Sequence, residues 1–167
     1  MKGDWAMSKY DVERDWITES GFRAVCIMGH LGHRCGYVGV PVSHPLHGVS
    51  YHDPSESLRQ QAIEAAGQPI GKRGILAVVC TKSDDDGLSP TPETVFDVHG
   101  SLTYSGGGGS YPVESDCWWF GFDCGHNGDL SSYRFGDGVE RTEQYVADEC
   151  ESLAKQITAA ITKATTP

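Results

Sequence analysis

The feature that most constrains the fold is the six-residue run from Trp118 to Asp123, which contains four aromatic residues, one glycine and one carboxylate. Successive side chains of a β-strand point to opposite faces of the sheet. One face of a strand here carries Trp118, Phe120 and Phe122. The other face carries Trp119, Gly121 and Asp123. The run therefore predicts a strand with one core face and one face that carries an indole ring, a glycine without a side chain and a carboxylate.

Four further segments have the apolar, β-branched composition of strands. They are residues 22–28, 37–42, 74–80 and 94–105. We expect the first two to form a hairpin, with Pro41 marking the second as an edge strand because proline cannot donate a ladder hydrogen bond. The Gly-rich stretch 106–110 is interpreted as a flexible connection or flap between 94–105 and the aromatic strand.

Two helices are predicted. The shorter one starts with Asp53 as N-cap, Pro54 in the first position and Glu56 in the third, and it stops at Gly67. The longer one covers residues 142–164, where apolar residues recur at steps of three and four. The predicted fold class is α+β, an antiparallel sheet with one short helix and a long C-terminal helix packed on it.

Size and composition restrict the class of protein. A chain of 167 residues suits a single domain, 1–167, in which residues 1–20 form an N-terminal extension packed on the domain. The sequence has no apolar run of the roughly 18 residues that a membrane span needs, and its charged N-terminus is unlike a signal peptide. Six cysteines without a CxxC pair are interpreted as reduced thiols. We expect a cytoplasmic protein with no membrane partner.

The net charge of −10 argues against general binding to nucleic-acid backbones. An acidic surface can also imitate nucleic acid, but the compact acidic run 84–86 is more typical of a solvated loop. The acidic character thus favours ordinary solubility over nucleic-acid mimicry.

The predicted strand 94–105 has a polar face that we pair with the aromatic strand. If the core faces of the two strands coincide, paired residue numbers must sum to an even value, and one such register places His99 opposite Asp123. The loop after Asp123 would close the resulting polar patch. The candidate ligand-binding residues are His99, Ser101, Thr103, Trp119, Asp123 and His126. The alternative is a plain solvent face on which Trp119 shields its neighbours.

A metal site is a second interpretation of the same region. Asp123, His126 and Asp129 are spaced by three residues and offer two carboxylates and an imidazole, to which His99 can add a ligand. Such a set suits zinc or manganese. Asn127-Gly128 equally indicates a turn in which Asp129 only bonds the backbone. Cys124 is interpreted as a plain thiol rather than a nucleophile. Apart from this possible divalent metal, we expect no cofactor.

Four blocks of the chain resemble a family of small uncharacterised proteins frequent in bacteriophage and prophage genomes. The blocks are GHRCGYVGVPVSHPLHG, VHGSLTYSGGG, WWFGFDCGHNGD and YVADECESLAKQI. The resemblance covers most of residues 16–161, and the HG-x-LTYS and WWFGFDC-x-H-x-GD motifs are its specific part. It implies no activity. It implies a setting, a phage accessory protein in the host cytoplasm, where such proteins often act on host defence.

Three functions are compatible with these observations. The leading hypothesis is a non-catalytic binding protein, a counter-defence sponge or inhibitor, that holds a small polar ring-bearing ligand such as a nucleotide-derived signal. Trp119 would stack on the ring while His99 and Asp123 fix its polar edge. The second hypothesis is a metal-dependent hydrolase that uses His99, Asp123, His126 and Asp129. The third is an acidic inhibitor that binds a host protein by surface contact.

Overall fold

The computed structural model describes residues 10–59, 90–131 and 138–161. Its strands are β1 Tyr10–Ile17, β2 Arg23–Gly29, β3 Arg34–Val40, β4 Tyr104–Gly107 and β5 Trp118–Asp123. They form one antiparallel sheet in the order β1-β2-β3-β5-β4. The short helix α1 is Pro92–Val95, and the long helix α2 is Glu143–Ile161. The fold is α+β, with α2 packed on the sheet, as the sequence predicted.

The first three strands form a meander, which includes the predicted hairpin of β2 and β3. β3 lies between β2 and β5, so the prediction of an edge strand was wrong. The strand ends at Val40, and Pro41 therefore lies just outside the ladder, where its missing N–H costs nothing. β1 is a strand of the sheet, whereas we had assigned residues 1–20 to a packed extension. Alternating acidic residues on its exposed face conceal its strand character.

The predicted strand 94–105 was largely wrong. Residues 92–95 are helical, 96–103 are irregular, and β4 begins only at Tyr104. β4 continues through Gly106 and Gly107, which we had assigned to a flexible link. A Cβ on Gly107 would lie 2.6 Å from the carbonyl oxygen of Cys117, so glycine is what permits the backbones to approach here.

The register of β4 on β5 also differs from the prediction. Tyr104 pairs with Gly121 and Gly106 with Trp119, so paired numbers have an odd sum. This register places Tyr104 on the Trp119 face of the sheet, where it joins other aromatic side chains. Ser105 falls on the opposite face, and its hydroxyl accepts a hydrogen bond from the backbone N–H of Tyr51 at 3.0 Å. A four-residue strand whose only large side chain is Tyr104 has no extended core face to dictate its register.

One face of the sheet packs against α2. The helix buries a stripe of small and apolar side chains at steps of three and four, Val146, Ala147, Cys150, Leu153, Ala154, Ile157 and Ala160. β3 presents Gly36 to this helix, and a Cβ there would overlap the Phe122 ring and lie 2.9 Å from Cys150 Sγ. The glycine therefore lets α2 approach the sheet closely.

The other face of the sheet carries a second apolar cluster, built on Val25, Ile27, Tyr37 and Trp119. The segment between β4 and β5 covers it, because Tyr111, Val113 and Cys117 pack against these residues. The rings of Tyr37, Tyr104 and Tyr111 meet edge to face with centroids 5.4–5.5 Å apart. The hydroxyls of Tyr37 and Tyr111 share a short hydrogen bond. The middle of the sheet is thus buried on both faces.

The predicted short helix begins two residues later than expected. Residues 56–59 are helical, and Ser55 is the N-cap in place of Asp53. Its hydroxyl accepts from the N–H of Leu58 at 3.4 Å, and its carbonyl accepts from the N–H of Arg59 at 2.9 Å. The rest of this helix, to Gly67, and the predicted strand 74–80 lie outside the described residues.

α2 matches its predicted range of 142–164 closely, with Thr142 Oγ1 accepting from the N–H of Tyr145 at 3.1 Å. Across residues 10–59, 90–131 and 138–161, no helix combines the length and the apolar character that crossing a bilayer requires.

Candidate functional site

The irregular segment before β4 is held by side chains of α2. Gln156 forms two hydrogen bonds with the backbone of Asp97, accepting from its N–H at 2.8 Å and donating to its carbonyl at 2.7 Å. Glu149 accepts from the N–H of His99 at 2.7 Å. One turn earlier, the Tyr145 hydroxyl lies 2.9 Å from His99 Nδ1. The helix therefore fixes both the backbone and the ring of His99.

The loop after β5 makes a turn that brings Asp129 back toward its own start. The N–H of Asp129 donates to the carbonyl of His126 at 3.1 Å, and Gly128 has a φ of +96°, which glycine adopts without strain. Asp129 Oδ2 in turn accepts from the N–H of His126 at 3.1 Å. The turn expected from Asn127-Gly128 is thus present, and Asp129 does bond the backbone. Its side chain is only 2% exposed.

These two segments bring His99, His126 and Asp129 together in what we call the histidine–aspartate cluster. His99 Nε2 lies 2.7 Å from Asp129 Oδ2, and His126 Nδ1 lies 3.9 Å from the same oxygen. One potential ligand atom of each residue lies within 4.8 Å of the others. Gly100 has a φ of +73° and packs on the His126 ring, which a Cβ at that position would overlap. The cluster is a candidate metal site.

Asp129 and His99 each have a further partner outside the cluster. Asp129 Oδ1 accepts from Arg141 Nε at 2.8 Å, and His99 Nδ1 bonds the Tyr145 hydroxyl. Arg141 also lies over the Tyr145 ring, with Cζ 4.9 Å from the ring centroid. Such outer hydrogen bonds orient metal-binding side chains and set the tautomer of a histidine ligand.

Asp129 is ionised at neutral pH despite its burial. Burial raises the pKa of this carboxyl, but hydrogen bonds from Arg141, from His99 and from the His126 N–H outweigh that effect, and the net pKa lies below its ordinary value. The same hydrogen bond raises the pKa of Arg141. The cluster therefore offers a carboxylate whose charge is offset by one guanidinium.

Asp123 lies next to the cluster without joining it. Its Oδ2 accepts from the Thr103 hydroxyl at 3.1 Å, and its Oδ1 accepts from the N–H of Gly125 at 3.0 Å. The closest approach between Asp123 Oδ1 and His126 Nδ1 is 3.9 Å. The predicted pairing of His99 with Asp123 was wrong, because His99 bonds Asp129 instead. Ser101 is exposed, and its N–H donates to the carbonyl of His99 at 2.9 Å.

Trp119 is not placed to hold a ligand in this structure. Neighbouring tryptophans do point to opposite faces, since Trp118 packs on the α2 side and Trp119 on the other. The expectation that Trp119 faces a guest molecule receives no support, because this residue is 1% exposed and its Nε1 donates to Ser115 Oγ at 3.1 Å. Residues 111–117 cover that face of the sheet, and the alternation of side chains in residues 118–123 does not reveal this cover.

Two residues of the site were missed from the sequence. Tyr145 belongs to the apolar stripe of the predicted helix, and Arg141 precedes that helix, so neither stands out as part of a site. Cys124 is buried and burial raises the pKa of its thiol to about 12, which fits the expectation of a plain thiol rather than a nucleophile.

Comparison of the chain with protein-family models, with curated proteins and with solved structures gave no match. The resemblance to phage accessory proteins therefore stays a prediction, and the function has to be argued from the cluster.

Proposed function

We propose that this protein binds a divalent metal ion, zinc foremost, at His99, His126 and Asp129, and that it acts as a metal-dependent hydrolase. The observation that carries the proposal is the convergence of these three side chains from two separate segments to within 4.8 Å. Catalytic zinc sites commonly have three protein ligands drawn from histidines and a carboxylate, and they keep a fourth position for water.

The composition of the cluster suits hydrolysis. A zinc ion with one open position lowers the pKa of a bound water to about 7, which supplies hydroxide at neutral pH. The chain contributes a carboxylate that is already ionised and an arginine that offsets its charge. Manganese, which also accepts imidazole and carboxylate ligands, is the second metal to test.

Metal binding requires a defined change at His99. A neutral imidazole has one N–H, and the 2.7 Å contact with the Asp129 carboxylate assigns it to Nε2 when no metal is bound. Coordination of a metal through Nε2 would require that hydrogen on Nδ1, which would then donate to the Tyr145 hydroxyl 2.9 Å away. Tyr145 would thus act as acceptor in place of donor and would support the metal-binding tautomer.

The leading hypothesis from the sequence, ring stacking on Trp119, receives no support from the burial of that ring. A nucleotide-derived ligand and a host-protein target stay predictions, because no contact described above supports either of them. The metal-dependent hydrolase is the alternative that the geometry favours, with Asp123 beside the ligand set rather than in it.

The test begins with stoichiometric zinc binding. Protein freed of metal with a chelator is titrated with zinc in competition with a chromogenic chelator, and we expect one equivalent to bind. Since loss of an outer partner of a ligand typically weakens metal binding about 10–100-fold, His126→Ala should cost at least that much and Tyr145→Phe should fall within that range. His30→Ala, at an exposed histidine, is the matched control and should change nothing.

Hydrolysis is then measured with p-nitrophenyl phosphate and p-nitrophenyl acetate. We expect turnover of at least one of them that disappears in chelator and returns with zinc, and that His126→Ala lacks. The proposed metal site would be refuted if neither zinc nor manganese bound stoichiometrically. It would also be refuted if His30→Ala lost as much zinc affinity as His126→Ala.

A further inference from the structure

A cavity of about 80 Å³ is lined by Arg141, whose Nε donates to Asp129 of the histidine–aspartate cluster. Arg34, His33 and Glu140 also line this cavity, and Cys124 forms part of its wall. On the scale of roughly 30 Å³ per water molecule in the liquid, it has room for about two to three waters or for one small oxyanion. Met28, Gly32 and Leu130 complete the lining, and its two arginines, its glutamate and its histidine favour a polar occupant.

Arg141 presents unused hydrogen-bond donors at this cavity. Its Nε is engaged with Asp129, but within the three described ranges neither terminal nitrogen donates to another residue. Its Cζ lies 4.9 Å from the centroid of the Tyr145 ring, and the Arg141 side chain is 28% exposed. A guanidinium fixed at Nε and by stacking offers its terminal N–H groups in the fork geometry that binds two oxygens at once.

Arg34 has a different role, because its donors are already in use. Its Nε and one terminal nitrogen bind Glu13 at 2.6 and 3.1 Å, and the other terminal nitrogen binds Glu140 and the carbonyl of Arg141. These contacts fix the backbone of Arg141 and hold Glu140, whose side chain is 64% exposed, so that water screens its charge. Arg34 is therefore a positioning residue for Arg141.

We propose that the cavity binds the phosphoryl group of the substrate through the terminal N–H groups of Arg141, so that the protein acts on a phosphate ester. A carboxylate uses both of its oxygens on one guanidinium fork, whereas a phosphoryl group keeps further oxygens for His33 and for a cation in the adjoining cluster. The choice of substrate class rests on the proposed metal-dependent function, but binding of the anion does not require the metal.

The test separates the two proposals by measuring anion binding without metal. Inorganic phosphate and acetate are titrated calorimetrically into chelator-treated protein, and we expect saturable binding of phosphate that is clearly tighter than that of acetate. Arg141→Lys keeps the charge but loses the fork, so phosphate binding should weaken about tenfold or more. Arg14→Lys is the matched control, because Arg14 forms a salt bridge with Glu143 at the start of α2 and lies outside the cavity lining.

A measurement on the wild-type chain covers the case in which Arg141→Lys fails to fold. The guanidinium N–H resonances of Arg141 are followed during phosphate addition, and we expect them to shift with the same dissociation constant as the calorimetric binding. No shift, equal affinity for acetate, or unchanged phosphate binding in Arg141→Lys would overturn this inference. Zinc binding without phosphate binding refutes the anion site alone, and phosphate binding without zinc binding refutes the proposed metal site alone.

Discussion

Gly100 is the residue on which the geometry of the cluster depends most directly. Its φ of +73° suits glycine, and its missing Cβ is the space that the His126 ring occupies. A side chain at this position therefore has to displace a proposed metal ligand.

We expect Gly100→Ala to reduce zinc affinity at least tenfold, in the range found for lost support of a ligand. Gly108 is a matched control, since it has the same φ of +73° but open space around its Cβ position. Both changes should cost about 1 kcal/mol or more of stability through backbone strain. Only Gly100→Ala should weaken zinc binding in competition titrations. Equal zinc affinities in the two variants would contradict the role of this contact.

The sequence predicted which residue types form the site better than it predicted which of them contact one another. His99, His126 and Asp129 were all candidates, because imidazoles and carboxylates close together in the chain are few. Spacing alone did not show which carboxylate meets His99, since a turn at residues 127–128 decides where Asp129 points. Arg141 and Tyr145 were missed because their contacts with the cluster depend on how α2 packs.

At the scale of elements, β5 and α2 were predictable and β4 was not. β5 has strong alternation of large side chains, and α2 has a long apolar stripe, so local pattern and tertiary packing agree. β4 consists of one tyrosine, one serine and two glycines, which carry almost no pattern. β4 can pair with β5 because its glycines leave room for the β5 backbone and side chains. This fit depends on both strands and cannot be seen in the sequence of β4 alone.

Because β5 is buried on both faces, we expect both of its tryptophans to contribute to the stability of the protein, but to different extents. Trp119 is 1% exposed and Trp118 is partly buried, so Trp119→Ala should destabilise the protein by about 3–5 kcal/mol and Trp118→Ala by less. Urea unfolding of the two variants measures the difference. A Trp119→Ala variant that unfolds at the wild-type midpoint would show that the second cluster does not pack as described.

At the scale of the whole molecule, Asp129 joins three parts of the chain. Its carboxylate contacts His99 before β4, the N–H of His126 after β5, and Arg141 ahead of α2. A single ionised group thus connects the helix layer with two segments next to the sheet. The loss of its charge should therefore lower the free energy of unfolding of the whole protein.

The pH dependence follows from the lowered pKa of Asp129. Because the folded-state pKa lies below that of the unfolded chain, about 3.9, ionised Asp129 stabilises the fold above that pH, and this contribution disappears as the pH falls through the folded value. Asp129→Asn should therefore cost about 1–3 kcal/mol at pH 7 and less near pH 3. Urea unfolding at both pH values tests this. Asp97→Asn, at an exposed carboxylate, should show no such difference, and a pH-independent loss in Asp129→Asn would contradict the assignment.

The central pairing of β3 with β5 has a consequence for how the chain is made. The 77 residues 41–117 separate the two strands, so a ribosome must finish this stretch and the whole of β5 before β3 acquires its second neighbour. During that interval the β1-β2-β3 meander has an open edge of unpaired backbone N–H and C=O groups at β3, which can pair with other chains or recruit chaperones. Uninterrupted translation through β5 should therefore raise the yield of folded protein.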